Sequence, residues 1–167
     1  MNPNFIVNSK LSLQEKLTIS IYLIISFFIL ISFSETNNHQ KEILFFYTFA
    51  THWFIYFFQY RALRNFRIYL IWILIGIFHL YVYFKIKDDE LLSFVEGHAS
   101  TGFRNTILLL VLFQILRFSS LEIQKMELVA PSRGSSFDIY DNREITYVDY
   151  ISFIIYFVIG GILYFAI

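Results

Sequence analysis

Cysteine is absent from the 167-residue chain, which removes disulfides, thiolate metal sites, thiol redox switching and any cysteine nucleophile. Charge is scarce: 16% of residues are charged, against about a quarter in an average soluble domain. The charges present cancel, 13 basic against 13 acidic, so the whole-molecule field favours neither nucleic acid nor an acidic partner. Catalytic motifs are missing too. There is no Walker loop, no His-Glu-x-x-His, no Gly-x-Ser-x-Gly, no pair of intramembrane aspartates and no glycine-rich dinucleotide turn, and nothing near Ser135 and Ser136 offers a base. These absences point away from an enzyme and give no residue set for a cofactor.

What the chain has is apolar length. Hydrophobic residues make up 57% of it and the mean hydropathy is +0.58, more apolar surface than a water-soluble domain of this size could hide. Aromatic residues, 21% of the chain, suit the interfacial belts of membrane proteins, although a biased overall composition would give the same count. A helix crossing a bilayer needs about 20 apolar residues. Clear runs cover Leu17–Phe33, Ile43–Tyr60, Phe66–Phe84 and Ile151–Ile167. The first is expected to be a retained helix rather than a signal peptide: Ser32 and Ser34 could imitate a cleavage site, but the polar lead is long.

A fourth segment is less clean, because Ile107–Leu116 is strongly apolar for only half the required length before Arg117 interrupts. It reaches adequate length by starting upstream at Ala99, through small residues that membrane helices tolerate; a re-entrant or interfacial segment is the alternative. The expected architecture is an all-α membrane protein of about five transmembrane helices, a single integral membrane domain over residues 1–167. Its spans are about 17–33, 43–60, 66–84, 99–118 and 149–167.

Lys and Arg should gather in the loops on the inner side. Lys10, Lys16, Arg61, Arg64, Arg67, Arg117, Lys125, Arg133 and Arg143 fall on one side of this arrangement, and Lys41, Lys85, Lys87 and Arg104 on the other. Nine against four places the N-terminus inside and the C-terminus outside.

The fourth connection, about 119–148, is the sizeable extramembrane piece and falls on the cytoplasmic side. Leu121–Val129 could extend the fourth helix or form a strand, and Pro131–Ser136 reads as a turn or loop. Phe137–Tyr140 and Arg143–Tyr147 alternate around Asp141-Asn142, the pattern of a short β-hairpin. Two strands alone are marginal in water, so this loop should need a partner.

The most informative polar stretch is Glu96 to Arg104. As a helix it would place Glu96, Ser100 and Arg104 at i, i+4 and i+8, with Gln114 returning to the same azimuth. That polar face, with His98 beside it, could line a pathway or relay protons. The plainer reading has Glu96 and His98 at the outer interface, Arg104 reaching to it, and Gln114 making one interhelical hydrogen bond. Gly97 with Thr101, Gly102 with Thr106, and Ser152 with Gly160-Gly161 are small-residue pairs that allow close helix approach.

His52 and His79 fall within two spans and raise bis-histidine haem ligation. Counted from the cytoplasmic ends they differ in depth by five residues, roughly 7 Å of helix rise, so buried hydrogen-bonding histidines are expected and no metal site is assigned. Arg61, Arg64 and Arg67, three apart, could hold an anionic lipid or a partner, or serve only to set topology.

The leading expectation for function is a small non-catalytic membrane subunit packing within a larger complex, with the fourth connection as its cytoplasmic docking element. Its partners would be membrane lipids and other membrane subunits or further copies of itself, in a cell membrane, the bacterial inner membrane first. One alternative is a homo-oligomeric pore or small transporter along the polar face of the fourth helix, since five spans are few for internal inverted repeats. Another is a membrane enzyme acting on a lipid or quinone through His98 and Glu96.

Overall fold

The structure is a computed structural model that describes residues 7–32, 39–131, 137–138 and 141–165. The described residues form five α-helices: α1 (Leu13–Ser32), α2 (Gln40–Phe58), α3 (Phe66–Ile86), α4 (Thr101–Gln124) and α5 (Tyr147–Phe165). Single 3-10 turns occupy Ala62–Arg64 and Glu90–Leu92 in the second and third connections. In the fourth, β1 (Phe137–Asp138) and β2 (Arg143–Glu144) pair antiparallel, Phe137 opposite Glu144 and Asp138 opposite Arg143. These two residue pairs are what the described residues contain of the expected hairpin; its Ile139 and Tyr140 lie outside them. So do Phe33, Ser34, Arg133, Ser135, Ser136, Ala166 and Ile167.

Four of the five helices, α1, α3, α4 and α5, are long and apolar enough to cross a membrane. The fifth, α2, has the length but not the apolarity. Its first turn is Gln40-Lys41-Glu42, and its inward stripe carries Tyr47, Thr48, Thr51, His52 and Tyr56. Those polar residues recur at the spacing of one helical face, so they lower the average without facing the surroundings.

Helix limits follow caps rather than the apolar runs. Ser12 and Glu15 form a capping box, with the Glu15 N–H donating to Ser12 Oγ at 3.2 Å and the Ser12 N–H to Glu15 Oε2 at 2.7 Å. Hence α1 starts at Leu13, a turn before the expected Leu17. Asn65 caps α3 by accepting the Arg67 N–H.

The fourth span departs most from expectation. It gains its length downstream, past Arg117 to Gln124, where Lys125 in the left-handed conformation (φ 57°) ends the helix. Upstream, residues 96–100 are not helical. Gly97 turns the chain at φ +90°, a conformation that favours glycine, and Ser93 bridges to His98. The supposed stripe of Glu96, Ser100 and Arg104 therefore does not exist, and Gly97 with Thr101 is not a helix-face pair.

At the centre of the bundle, α4 packs most extensively on α3, then on α5 and α2. Half of its apolar window is buried, against 17% for α1. Core side chains such as Tyr56, Trp72, Phe103, Phe113 and Tyr156 meet around it. Glycines set two of the contacts. Gly102 lies directly against Thr48 of α2, and Gly160 brings α5 onto Leu109.

One end of the bundle gathers the N-terminal segment, the 59–65 connection and the fourth connection. There Val7 bridges Asn65, and Asn65 Nδ2 donates to the Ser9 carbonyl and hydroxyl. The third connection and the end of α5 lie at the opposite end. Close packing at Gly102 gives a direct test. A Cβ there would overlap Thr48 Oγ1 and come within 2.6 Å of Thr48 Cβ, so Gly102→Ala should destabilise the bundle by about 1–3 kcal/mol. A Cβ on Gly161 meets nothing within 4 Å, so Gly161→Ala should not. Thermal unfolding in detergent compares the two.

Candidate functional site

The inward stripe of α2 creates a problem that the neighbouring helices solve, since a hydroxyl or imidazole in an apolar interior is costly without a partner. His52 Nε2 and His79 Nδ1 lie 3.1 and 3.0 Å from the same atom, the hydroxyl oxygen of Thr106 on α4. The second nitrogen of His52 is 2.9 Å from the Tyr164 hydroxyl on α5, and that of His79 is 3.0 Å from the Tyr47 hydroxyl. Tyr47 in turn donates to Ser26 Oγ of α1 at 2.8 Å, and Ser26 donates to the Tyr22 carbonyl at 2.7 Å. Tyr22 closes the group, its hydroxyl 3.1 Å from both Tyr47 and Thr51.

Proton directions follow from the fixed end. Because Ser26 gives its proton to a carbonyl, it accepts from Tyr47, and Tyr47 must then accept from His79 Nε2–H. His79 Nδ1 is left to accept from Thr106, whose hydroxyl also lies 3.3 Å from the Gly102 carbonyl; the Thr106 oxygen accepts from His52 Nε2–H, and His52 Nδ1 accepts from Tyr164, whose hydroxyl also lies 3.4 Å from Thr48 Oγ1. The donors and acceptors thus match along one continuous chain through all five helices. All four imidazole nitrogens are engaged, and among the described residues no group of three or more His, Asp or Glu is placed to hold a metal.

Despite their offset in backbone rise, the two histidines meet at one level, on Thr106. Side chains on a helix lean toward its N-terminus. Since α2 and α3 run in opposite directions, His52 and His79 lean toward each other's level, and this closes the roughly 7 Å offset in rise. Not every interior group is served. The Tyr56 hydroxyl, the Trp72 indole N–H and the Asn105 side-chain nitrogen are buried without a hydrogen-bond partner among the described residues.

The other anticipated site residues are dispersed. Glu96 is exposed on the third connection. His98 accepts the Ser100 hydroxyl on Nδ1 at 2.6 Å and donates from Nε2 to the Asp89 carbonyl at 2.9 Å, so it braces the turn before α4. Arg104 donates to the Leu163 carbonyl of α5 at 3.2 Å, a favourable place for a cation near a helix C-terminus, and its guanidinium lies over the Tyr83 ring. Gln114 donates to the Leu63 carbonyl at 2.8 Å.

Of the arginine triplet, Arg67 stays at the surface and bonds Asn8, Arg61 lies half-exposed 3.4 Å from Asp141, and Arg64 turns inward to the same Asp141 (3.1 and 2.5 Å) and to the Leu128 carbonyl (2.8 Å). Arg64 is part of a charged cap that the sequence reading did not foresee. Arg117, 2% exposed, pairs in bidentate fashion with Glu127 at 2.7 and 2.6 Å. Arg143 pairs likewise with the fully buried Asp149 at 2.8 and 2.9 Å. Asp149 also accepts the N–H groups of Val129 and Thr146, and Tyr60 donates to Asp138 at 2.7 Å. Through these pairs the described part of the fourth connection packs on its own chain.

No family model matches the chain, nor does any curated protein or solved structure. Hydroxyl removal at two buried tyrosines of α2 tests the site. Tyr47→Phe breaks the chain and should cost about 1 kcal/mol, whereas Tyr56→Phe removes an unpaired group and should be neutral or stabilising. Equal losses in detergent unfolding would contradict this assignment.

Proposed function

We propose that the chain is a non-catalytic, five-span subunit of a larger membrane assembly, in the inner membrane of a bacterium, with its N-terminus and charged cap in the cytoplasm. The nine-to-four division of Lys and Arg supports that orientation, and α2, whose polar stripe faces its neighbours and whose outer face carries Ile43, Phe46 and Trp53, serves as the fifth span.

The observation that carries the subunit reading is the looseness of α1. It is anchored by the Tyr22 ring on Trp72 and Phe54, by the hydroxyls of Tyr22 and Ser26, and by Ile19 in the core. On either side of it the bundle is open. A cleft of about 660 Å³ separates α1 from α3, walled by Phe27, Leu30, Leu74 and Phe78. Another of about 320 Å³ separates it from α2, between Ile21, Ile25 and Ala50. A self-sufficient bundle fills such space with its own side chains. These clefts have the form and apolarity that side chains of another subunit's membrane helix would fill.

The alternatives have less support. Asn105, Thr106, Gln114 and Arg117 of α4 are closed in by α2, α3, α5 and the cap, which disfavours an aqueous path along that helix. Both nitrogens of His98 are committed to bracing a turn, which disfavours a role for it with Glu96 in lipid or quinone chemistry.

Because the chain has no cysteine, a single introduced thiol is a unique reporter. Phe27→Cys and Leu74→Cys, cross-linked in native membranes, should give adducts of larger mass, and gentle extraction should yield a species heavier than 20.0 kDa. A stable lone monomer that carries only lipid would overturn the proposal.

A further inference from the structure

The end of the bundle opposite the cap holds a pocket of about 420 Å³. It lies where the end of α3, the third connection, the start of α4 and Tyr164 of α5 converge. The charged residues in its lining are both basic, Lys87 and Arg104, and among the described residues no Asp or Glu lines it. The hydroxyls of Ser93 and Thr101 add donors, whereas that of Tyr164 is already given to His52. Arg104 is held in place from two sides, by the Leu163 carbonyl at 3.2 Å and by the Tyr83 ring at 5.9 Å from its centroid. Lys87 bonds at 3.0 Å to Asp88, whose side chain is 83% exposed, so that pair is screened by solvent and weakly held.

Exposed apolar side chains stand on the elements around this pocket, beside the exposed carboxylates of Asp88, Asp89, Glu90 and Glu96 on the third connection. Leu91 and Val95 stand out from the third connection at 68% and 105% exposure, and Phe84 does so from the end of α3 at 60%. Basic side chains in the lining and bare apolar side chains nearby, Val95 in the lining itself, are the two halves of a site for an amphiphile at a membrane boundary. The planar fork of arginine and the point charge of lysine together suit phosphate oxygens.

We propose that this pocket binds a phosphate group, drawn either from a phospholipid head group or from free phosphate. The inference is independent of the subunit reading, since it concerns the end away from the charged cap and needs no partner chain.

The test uses the full chain in a neutral detergent, with native mass spectrometry after addition of phosphatidylglycerol, phosphatidylcholine or inorganic phosphate. Wild-type protein should retain phosphatidylglycerol, and the double variant Lys87→Gln/Arg104→Gln should lose roughly tenfold in apparent affinity. A double variant at the capped end, Lys10→Gln/Lys125→Gln, removes the same charge elsewhere and should retain the lipid as wild type does. Retention of phosphatidylglycerol that excess phosphate leaves unchanged identifies the lipid as the source; binding of phosphate without lipid identifies the free ion. Should the Arg104 variant fail to fold, Lys87→Glu alone, at an exposed position, should still weaken binding several-fold. Binding of neither probe, or binding indifferent to Lys87, overturns the proposal.

Discussion

The Thr106 hydroxyl lies between two imidazoles, and the arrangement of the bundle depends on that contact. In an apolar interior an unpaired polar group costs more than a made hydrogen bond contributes, so the histidines and tyrosines of α2 and α3 constrain which helices may lie beside them and at what level. Thr106 satisfies one nitrogen of each histidine from α4. Tyr164 must then reach in from α5, and Tyr47 must pass its proton toward α1. Besides this chain, α1 is fixed by Ile19 and by the Tyr22 ring, which packs on Trp72 and Phe54, with open space on either side. Hydrogen bonds and the contacts of one aromatic ring thus position the first helix, whereas glycine-mediated packing positions α2 and α5 against α4.

The two ends of the molecule treat charge differently. At the capped end Arg117 lies within the reach of α4 and is matched by Glu127, and Asp149 is matched by Arg143. Removing one member of such a pair leaves the other buried and uncompensated. These pairs let α4 continue past Arg117, so the basic residue that looked like the end of a membrane span lies within the helix. At the opposite end Lys87 and Arg104 line a pocket that no Asp or Glu lines among the described residues, and the carboxylates of Asp88, Asp89, Glu90 and Glu96 are exposed on the same connection. The same chain therefore pairs its charge in buried bidentate contacts where a loop folds back, and in exposed, solvent-screened ones at the other end.

Much of the architecture was legible because apolar runs mark helices: α3 begins at Phe66 in both readings, and the other limits shift by a few residues. The shifts have physical causes. Ser12 and Glu15 start α1 early, and Gly97 at positive φ delays α4. The inward face of α2 carried a signal that was not used, since Tyr47, Thr48, Thr51, His52, Ile55 and Tyr56 recur at helical spacing. What could not be read is who meets whom. Nothing local marks Thr106 as the bridge, because threonine is common in membrane helices. Nor does anything local tie Glu127 to Arg117 or Asp149 to Arg143, since those pairings exist only once the fourth connection folds back on the bundle. The depth comparison of His52 and His79 failed for a different reason: it followed backbone rise and ignored the opposite lean of side chains on antiparallel helices.

The bridging role of Thr106 is the point on which this account can be tested most directly. The measurement is a double-mutant cycle of His52→Phe and His79→Phe by reversible unfolding in detergent, run in the wild-type chain and again in a Thr106→Ala background. Two histidines joined through one hydroxyl should show a coupling of about 0.5–2 kcal/mol, and the coupling should vanish when Thr106 is alanine. Additive losses in the wild-type background, or a coupling that survives Thr106→Ala, would contradict the account.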